Sequence, residues 1–304
     1  MNRRFFIKKS SSTAALLAVS PSLLSFNSQN IKHITILHTN DVHSHIDPFP
    51  KDHPRNPNMG GASRRAAMIE TVRNQNPNVL LLDAGDTIQG TPYFNMYGGE
   101  LEWKLMSLMK YNAMTIGNHE FDNGLEGMIK NLPFANFDII SSNYDFKNTI
   151  FDGRTKGFKI YTIDEVKIGV FGLGVELEGL VDKKLYKETK FLNPVEIAQD
   201  TTNTLRSIGC DLVICLSHLG YNYTKPAEKD KISDVKLAAL TQDIDLIIGG
   251  HTHTFLNEPK IVKNILGKEV IINQVGAYGI NIGRIDFIFT DDVLTNKAKN
   301  IEIK

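Results

Sequence analysis

The chain is poor in the features that define several protein classes. It has two cysteines in 304 residues, Cys210 and Cys215, too few for a disulfide framework. They stand in one apolar run, and on a strand they would face opposite sides and stay unpaired as core thiols. Neither charge is in excess, with Lys+Arg and Asp+Glu both at 34, so nothing points to nucleic acid as a partner. No apolar run approaches the ~20 residues that a membrane-spanning helix needs. Internal repeats and low-complexity tracts are absent too. What remains is 41 % hydrophobic and 22 % charged residues, the balance of a globular protein with a substantial core. That balance excludes a disordered chain.

Residues 1–30 hold Arg3, Arg4, Lys8 and Lys9 and no acidic residue. A weakly apolar stretch from Thr13 to Val19 follows, then Pro21. A basic end, a short apolar middle and a polar exit form the layout of an export signal. The opening Asn2-Arg3-Arg4-Phe5-Phe6-Ile7-Lys8 resembles the twin-arginine kind; an ordinary secretory signal is the alternative. The expectation is an export signal over 1–30, one domain over 31–304, a periplasmic destination and no integral membrane span.

Apolar strand-like runs recur along the rest: Ile34–Leu37, Val79–Leu82, Ala113–Ile116, Asp138–Ile140, Lys167–Phe171, Leu212–Leu216, Leu246–Ile248, Val270–Asn273 and Arg284–Phe289. Several are apolar at consecutive positions, as in strands covered on both faces. Between them the pattern predicts helices over Ala62–Asn74, Glu100–Lys110 and Pro194–Ile208. The second would use Leu101, Leu105, Leu108 and Met109 as its apolar face, with Trp103 and neighbouring leucines packing it on a sheet. The third would be capped by Asn193 with Pro194 at N1. A hairpin over Ile160–Val170 would turn at Asp164-Glu165. The fold class is α/β.

Polar residues gather after five of the strands. The tips read His38-Thr39-Asn40-Asp41-Val42-His43, Asp83-Ala84-Gly85-Asp86, Gly117-Asn118-His119-Glu120-Phe121-Asp122, Ser217-His218 and Gly249-Gly250-His251-Thr252-His253. In α/β sheets ligands bind at the C-terminal strand edge, so five such tips would face one cleft. Asp41 and His43, like His251 and His253, are two apart and on extended backbone would face the same way. Asp86 could bridge two cations and Asn118 could add a carbonyl oxygen. This mixture of imidazole and oxygen suits Mn, Fe, Zn, Co or Ni. His38 and His45 read as structural, with His45 near the cleft mouth; Arg64 and Arg65 read as a solvated or salt-bridged helix face. Tyr93, Phe94, Tyr97 and Tyr278 read first as packing residues.

Taken in order, Asp41-Val42-His43, Gly85 to Gly90, Gly117 to Asp122, His218 and Gly250-His251-Thr252-His253 resemble the signatures of the calcineurin-like metallophosphoesterases. The wording is most similar to the 5′-nucleotidase / UDP-sugar hydrolase family, including Gly60-Gly61-Ala62-Ser63-Arg64-Arg65-Ala66 and Gly276-Ala277-Tyr278-Gly279. The resemblance implies a four-layer α-β-β-α sandwich with a dinuclear metal site at the strand C-terminal edge. It implies one divalent ion on Asp41, His43, Asp86 and His253, and a second on Asp86, Asn118, His218 and His251. His119 and Asp122 would form the catalytic dyad; a helix N-cap is a second role for Asp122. The implied chemistry is hydrolysis of nucleotide phosphoesters by a hydroxide shared between the metals. A 2′,3′-cyclic-nucleotide phosphodiesterase, a broad phosphoesterase and a non-catalytic metal-binding partner protein are the alternatives. Relatives carry a C-terminal specificity domain; here the matched stretch holds only the catalytic half. A separate nucleotide-binding polypeptide that docks on the metal face, or looser specificity, would account for that.

Overall fold

The computed structural model describes residues 31–290 and 293–304. The export signal read over residues 1–30 therefore lies outside the described residues. Fourteen strands appear among the described residues: β1 (Lys32–Thr39), β2 (Val79–Asp83), β3 (Ala113–Thr115), β4 (Asp138–Ile140), β5 (Tyr144–Asp145), β6 (Phe158–Ile163), β7 (Val166–Leu173), β8 (Lys190–Phe191), β9 (Leu212–Ser217), β10 (Leu246–Gly249), β11 (Lys260–Lys263), β12 (Glu269–Asn273), β13 (Asn281–Thr290) and β14 (Val293–Glu302). Seven helices join them: α1 (Ala62–Gln75), α2 (Pro92–Tyr97), α3 (Glu100–Leu108), α4 (Gly124–Asn131), α5 (Lys183–Tyr186), α6 (Pro194–Ser207) and α7 (Asp234–Leu240).

Two six-stranded sheets result, ordered β14-β13-β1-β2-β3-β4 and β11-β12-β10-β9-β7-β6. Strands β1 to β4 of the first sheet are parallel, β4 forming its edge, as are the inner strands β7, β9, β10 and β12 of the second. Antiparallel partners close the other three edges. Strand pleating sends alternate side chains to opposite faces. Ile34, Ile36, Leu80 and Leu82 therefore meet Ile168, Val170, Ile214 and Ile248 between the sheets. Leu37, Leu81 and Met114 point outward instead and are covered by Ile69 of α1, Trp103 of α3 and Leu125 of α4. On the other side Phe171, Val213 and Ile247 pack under Leu205 of α6 and Leu237 of α7. The layers are thus α, β, β, α, as expected. Each fully buried Leu or Ile contributes about 1.5–3 kcal/mol.

All nine apolar runs coincide with strands, and the hairpin turns at Asp164-Glu165, both with positive φ, the geometry of a type I′ turn. Asn193 caps α6 by accepting from the Val195 and Glu196 amides. Three expectations fail locally. The buried stripe of α3 runs through Glu102, Trp103 and Met106, and Leu108 is 77 % exposed; the bulky indole, 1 % exposed, sets the helix rotation. Cys210 precedes β9 instead of lying on it, so both free thiols belong to the same outer core cluster. Arg65 is buried, because α1 turns that side chain under Val42 and Gly279. Arg64 is solvent-facing and bonds Asn58.

Candidate metal centre

Register brings the strand tips level. In the first sheet Thr39 at the end of β1 lies opposite Asp83 at the end of β2, and in the second Ser217 of β9 lies opposite Gly249 of β10. The loops that follow must therefore meet. They do so through cross-sheet bonds: the His251 amide donates to Asp41 Oδ1 at 3.0 Å, and His218 Nδ1 contacts Ala84 O at 2.7 Å.

Asp41, His43, Asp86, Asn118, His218, His251 and His253 all come together there. His253 Nε2 lies 3.3 Å from Asp41 Oδ1, and His43 Nε2 lies 3.0 Å from His253 Nε2 and 3.9 Å from Asp41 Oδ1 and Asp86 Oδ2. His218 Nε2 is 2.9 Å from Asp86 Oδ2, and His251 Nδ1 is 2.9 Å from Asn118 Oδ1. Three subsets, Asp41/His43/His253, His43/Asp86/His119 and Asp86/His218/His251, keep their donor atoms within 4.8 Å of one another.

The pairs converge, but not through strand periodicity. Asp41, His43, Asp86, His251 and His253 all have φ between +49° and +72°. Five non-glycine residues in the left-handed region represent strain that surrounding contacts must hold in place. The expectation of extended backbone at Asp41/His43 and His251/His253 is thus overturned: left-handed turns aim those rings. Glycine matters here through close approach. A Cβ on Gly117 would stand 2.2 Å from Asp86 Oδ1, and one on Gly250 would stand 2.8 Å from His218 Nδ1.

The electrostatics match a cation site. Asp41 and Asp86 are buried, and buried carboxylates need a compensating positive charge. His218 Nδ1 is spent on Ala84 O, while Nε2 makes no hydrogen bond despite its contact with Asp86. Two facing acceptors at that distance call for a proton or a metal between them. Burial alone would lower the His218 imidazole, but the Asp86 and Asp41 carboxylates outweigh it and hold it up at about 10. Burial raises Asp86, and the His218 charge more than reverses that, leaving it well below the usual carboxylate range. Burial lowers His43, and lowers His251 to about 4; neutral imidazoles are the ligating form.

Beside these groups His119 Nδ1 lies 2.9 Å from Asp122 Oδ2. Burial lowers the His119 ring, but the bond to Asp122 and nearby carboxylates raise it on balance. Asp122 is not the helix N-cap: α4 begins at Gly124 after Asn123, and Asp122 instead ends the 3-10 turn His119–Phe121. His38 is remote from this set, buried and bonded to Asn273. His45 lines the cleft mouth. Of the four aromatics read as packing residues, Tyr97 is exposed and Tyr278 lines the cleft.

Sequence reasoning missed the braces. Glu120 accepts from the amides of Asp86, Thr87 and Gly117 and from the Thr87 hydroxyl, at 2.7–2.9 Å. Asn40 donates to Asp41 Oδ2 and Gly276 O, both at 2.6 Å. Gln274 donates to Gly250 O and accepts from Thr252 and Thr254. Such partners fix the orientation of ligating side chains. Glu120 sits inside a motif already singled out, which was the one available signal.

The calcineurin-like phosphoesterase family profile matches residues 34–255. Snake venom 5′-nucleotidase of Crotalus adamanteus is 35 % identical over 279 residues, covering 85 % of this chain and 45 % of that protein. The trifunctional nucleotide phosphoesterase protein YfkN of Bacillus subtilis is 32 % identical, covering 88 % of this chain and 19 % of that protein. Among solved structures, the 5′-nucleotidase precursor of Thermus thermophilus superposes with a TM-score of 0.80 at 31 % identity, over 90 % of this chain and 55 % of that one. The chain spans about half the length, or less, of the curated relatives it matches.

Proposed function

The chain belongs to the calcineurin-like phosphoesterase family, and from that premise we propose that it is a metal-dependent hydrolase of nucleotide phosphoesters, of the 5′-nucleotidase type. One observation carries the reading: seven competent donor groups from five loops converge beside a His119–Asp122 pair. Asp41, His43, Asp86 and His253 would hold one divalent ion; Asp86, Asn118, His218 and His251 would hold a second, with Asp86 shared. Imidazole and oxygen donors favour Mn, Zn, Fe or Co. Bound there, such ions would acidify water and offset the charge of the phosphoryl oxygens.

The chain's own groups do the rest. Glu120 holds the backbone of Asp86, and Asn40 holds the Asp41 carboxylate. Asp122 accepts from His119 Nδ1, which leaves Nε2 as the nitrogen available to the cleft that His119 lines. A protonated His119 would use its one remaining N–H either to donate to a phosphoryl oxygen in the transition state or to deliver a proton to the leaving oxygen. The cleft, about 750 Å³, is open to solvent, and the YfkN relative, a trifunctional nucleotide phosphoesterase by name, supports breadth as a second reading.

The test compares metal content with initial rates on a nucleoside 5′-monophosphate, a 2′,3′-cyclic nucleotide, a UDP-sugar and a generic aryl phosphate. The monophosphate should be fastest. A cyclic nucleotide that wins would favour the phosphodiesterase reading, and a metal-loaded but inert protein would make it a binding partner only. Export by the Arg3-Arg4 signal is part of the proposal; an Arg3→Lys, Arg4→Lys double variant should stay in the cytoplasm. So is a separate nucleotide-binding domain docked on the metal face, which co-purification tests.

A further inference from the structure

A second, much smaller cavity shares no lining residue with the open cleft. It measures about 10 Å³, room for one water molecule. Its wall includes Val42 and Ser44 of the first ligand turn, Thr87 beside Asp86, Arg65 of α1 and Glu102 of α3. Arg65 is 4 % exposed and Glu102 5 %. Arg65 Nε and Nη1, both Glu102 carboxylate oxygens and Ser44 Oγ are buried and have no hydrogen-bond partner among the described residues. A guanidinium and a carboxylate therefore line one small space without bonding directly. Asp83, in the same wall, is already engaged: its oxygens accept from the Thr39 hydroxyl at 2.5 Å and the Gly85 amide at 2.8 Å. A buried charge left without hydrogen bonds or a counter-charge is costly.

We propose that a resident water bridges Arg65 and Glu102, and that the two are positioning residues for the ligand turns above them. The water accepts from the guanidinium, donates to the carboxylate and has a further bond for the Ser44 hydroxyl, within the two to four partners that a buried water needs. Ser44 follows His43 directly and continues its left-handed backbone, φ +54° after +49°. The guanidinium also lies against Gly279, where a Cβ would stand 2.0 Å from Nη1. The residue before it, Tyr278, donates its amide to Asp41 O at 2.7 Å. On the other side Trp103, next to Glu102, donates Nε1 to Thr87 Oγ1 at 3.3 Å. Through these contacts α1 and α3 support the backbone of Asp41, His43 and Asp86 from beneath, and the strained turns there need such support.

The positioning role rests on the metal-centre reading, but the bridge is testable in the metal-free full chain. Urea unfolding at pH 7.5 compares wild type, Arg65→Met, Glu102→Met and the double variant. Each single change strands the other charge and should lower the folding constant about 100-fold or more. The double variant strands neither and should be at least about tenfold more stable than the two losses combined. A high-resolution crystal structure of the wild type should show one solvent peak within hydrogen-bond distance of both side chains. Additive losses, a direct Arg65–Glu102 pair or the lack of that peak would overturn the bridge; should a single variant not fold, the electron density decides alone. Cobalt(II) titration then reads the ligand geometry through its visible bands. Glu102→Met should weaken cobalt binding about 10- to 100-fold and shift the bands, and Glu102→Gln, whose amide still bonds a water, should recover part of both. Unchanged affinity and bands in Glu102→Met would overturn the positioning role. A wild type that holds the bridging water yet binds no cobalt would leave the bridge standing and defeat the metal-centre reading instead.

Discussion

Acidifying the metal-free protein from pH 7.5 to 5.0 should weaken it through one residue between the sheets, His38. That ring is fully buried opposite Gly283 of β13, close enough that a Cβ there would touch Nε2. Asn273 Nδ2 lies 2.9 Å from Nε2 and 2.9 Å from Asn300 Oδ1. With the amide donating to both, Nε2 accepts and has no room for a proton. Burial pushes the imidazole down to about 3. An unfolded histidine titrates near 6.5. Below that pH the unfolded chain binds a proton that the native ring refuses, so stability falls as pH falls. The contribution is complete above about pH 7.5 and disappears progressively toward pH 3. At about 1.4 kcal/mol per unit, the loss is about 2 kcal/mol by pH 5 and about 4 kcal/mol by pH 3. Urea unfolding at pH 7.5, 6.5, 5.5 and 5.0 can follow Trp103, the single tryptophan, which is buried. Other groups titrate too, including Asp83 and Asp234, which burial pushes up to about 8. The informative quantity is thus the difference from a His38→Gln variant, whose side-chain oxygen can still accept from Asn273. That difference should shift by about 2 kcal/mol between pH 7.5 and 5.0. A difference constant within about 0.5 kcal/mol would refute the argument.

Further outcomes follow from the site. His119→Ala should lower turnover about 10²- to 10⁴-fold with metal content unchanged by elemental analysis; Asp122→Asn should lower it less. Asp86→Asn should lose stoichiometric metal and all activity, and retention of two ions would contradict a shared ligand. Glu120→Gln places an amide NH₂ among three backbone N–H donors and the Thr87 hydroxyl; metal affinity should drop about 10- to 100-fold and stability by about 1–3 kcal/mol, read by chelator competition and urea melts. Gly250→Ala should displace His218, so metal binding should suffer while the metal-free fold persists by circular dichroism.

Much of the architecture was legible because inner strands are buried on two faces and so read as plain apolar runs. β1, β7, β9 and β10 are of that kind. The edges were not. β11 is largely exposed and β14 carries Thr, Asn and Lys along a polar run, so neither presents an apolar signal; pairing with a neighbour, not composition, makes them strands. α2 and α5 span six and four residues, too short for a period to register. The donor residues were legible because five tips in order each end in a ligating type. Their stereochemistry was not: positive φ at Asp41 and His253 depends on contacts from loops far away in sequence. Asn40, Glu120 and Gln274 are ordinary polar residues until the fold surrounds them with amides.

The proposed donors are divided between loops of two sheets that draw on different stretches of the chain. Asp41, His43, Asp86 and Asn118 come from the first sheet; His218, His251 and His253 come from the second. β1 is then paired by β13, which starts at Asn281. No leading fragment of a nascent chain owns a full coordination set. Under the proposed assignment both sites would need side chains beyond residue 250, so neither could close until strands of the second sheet stand beside the first.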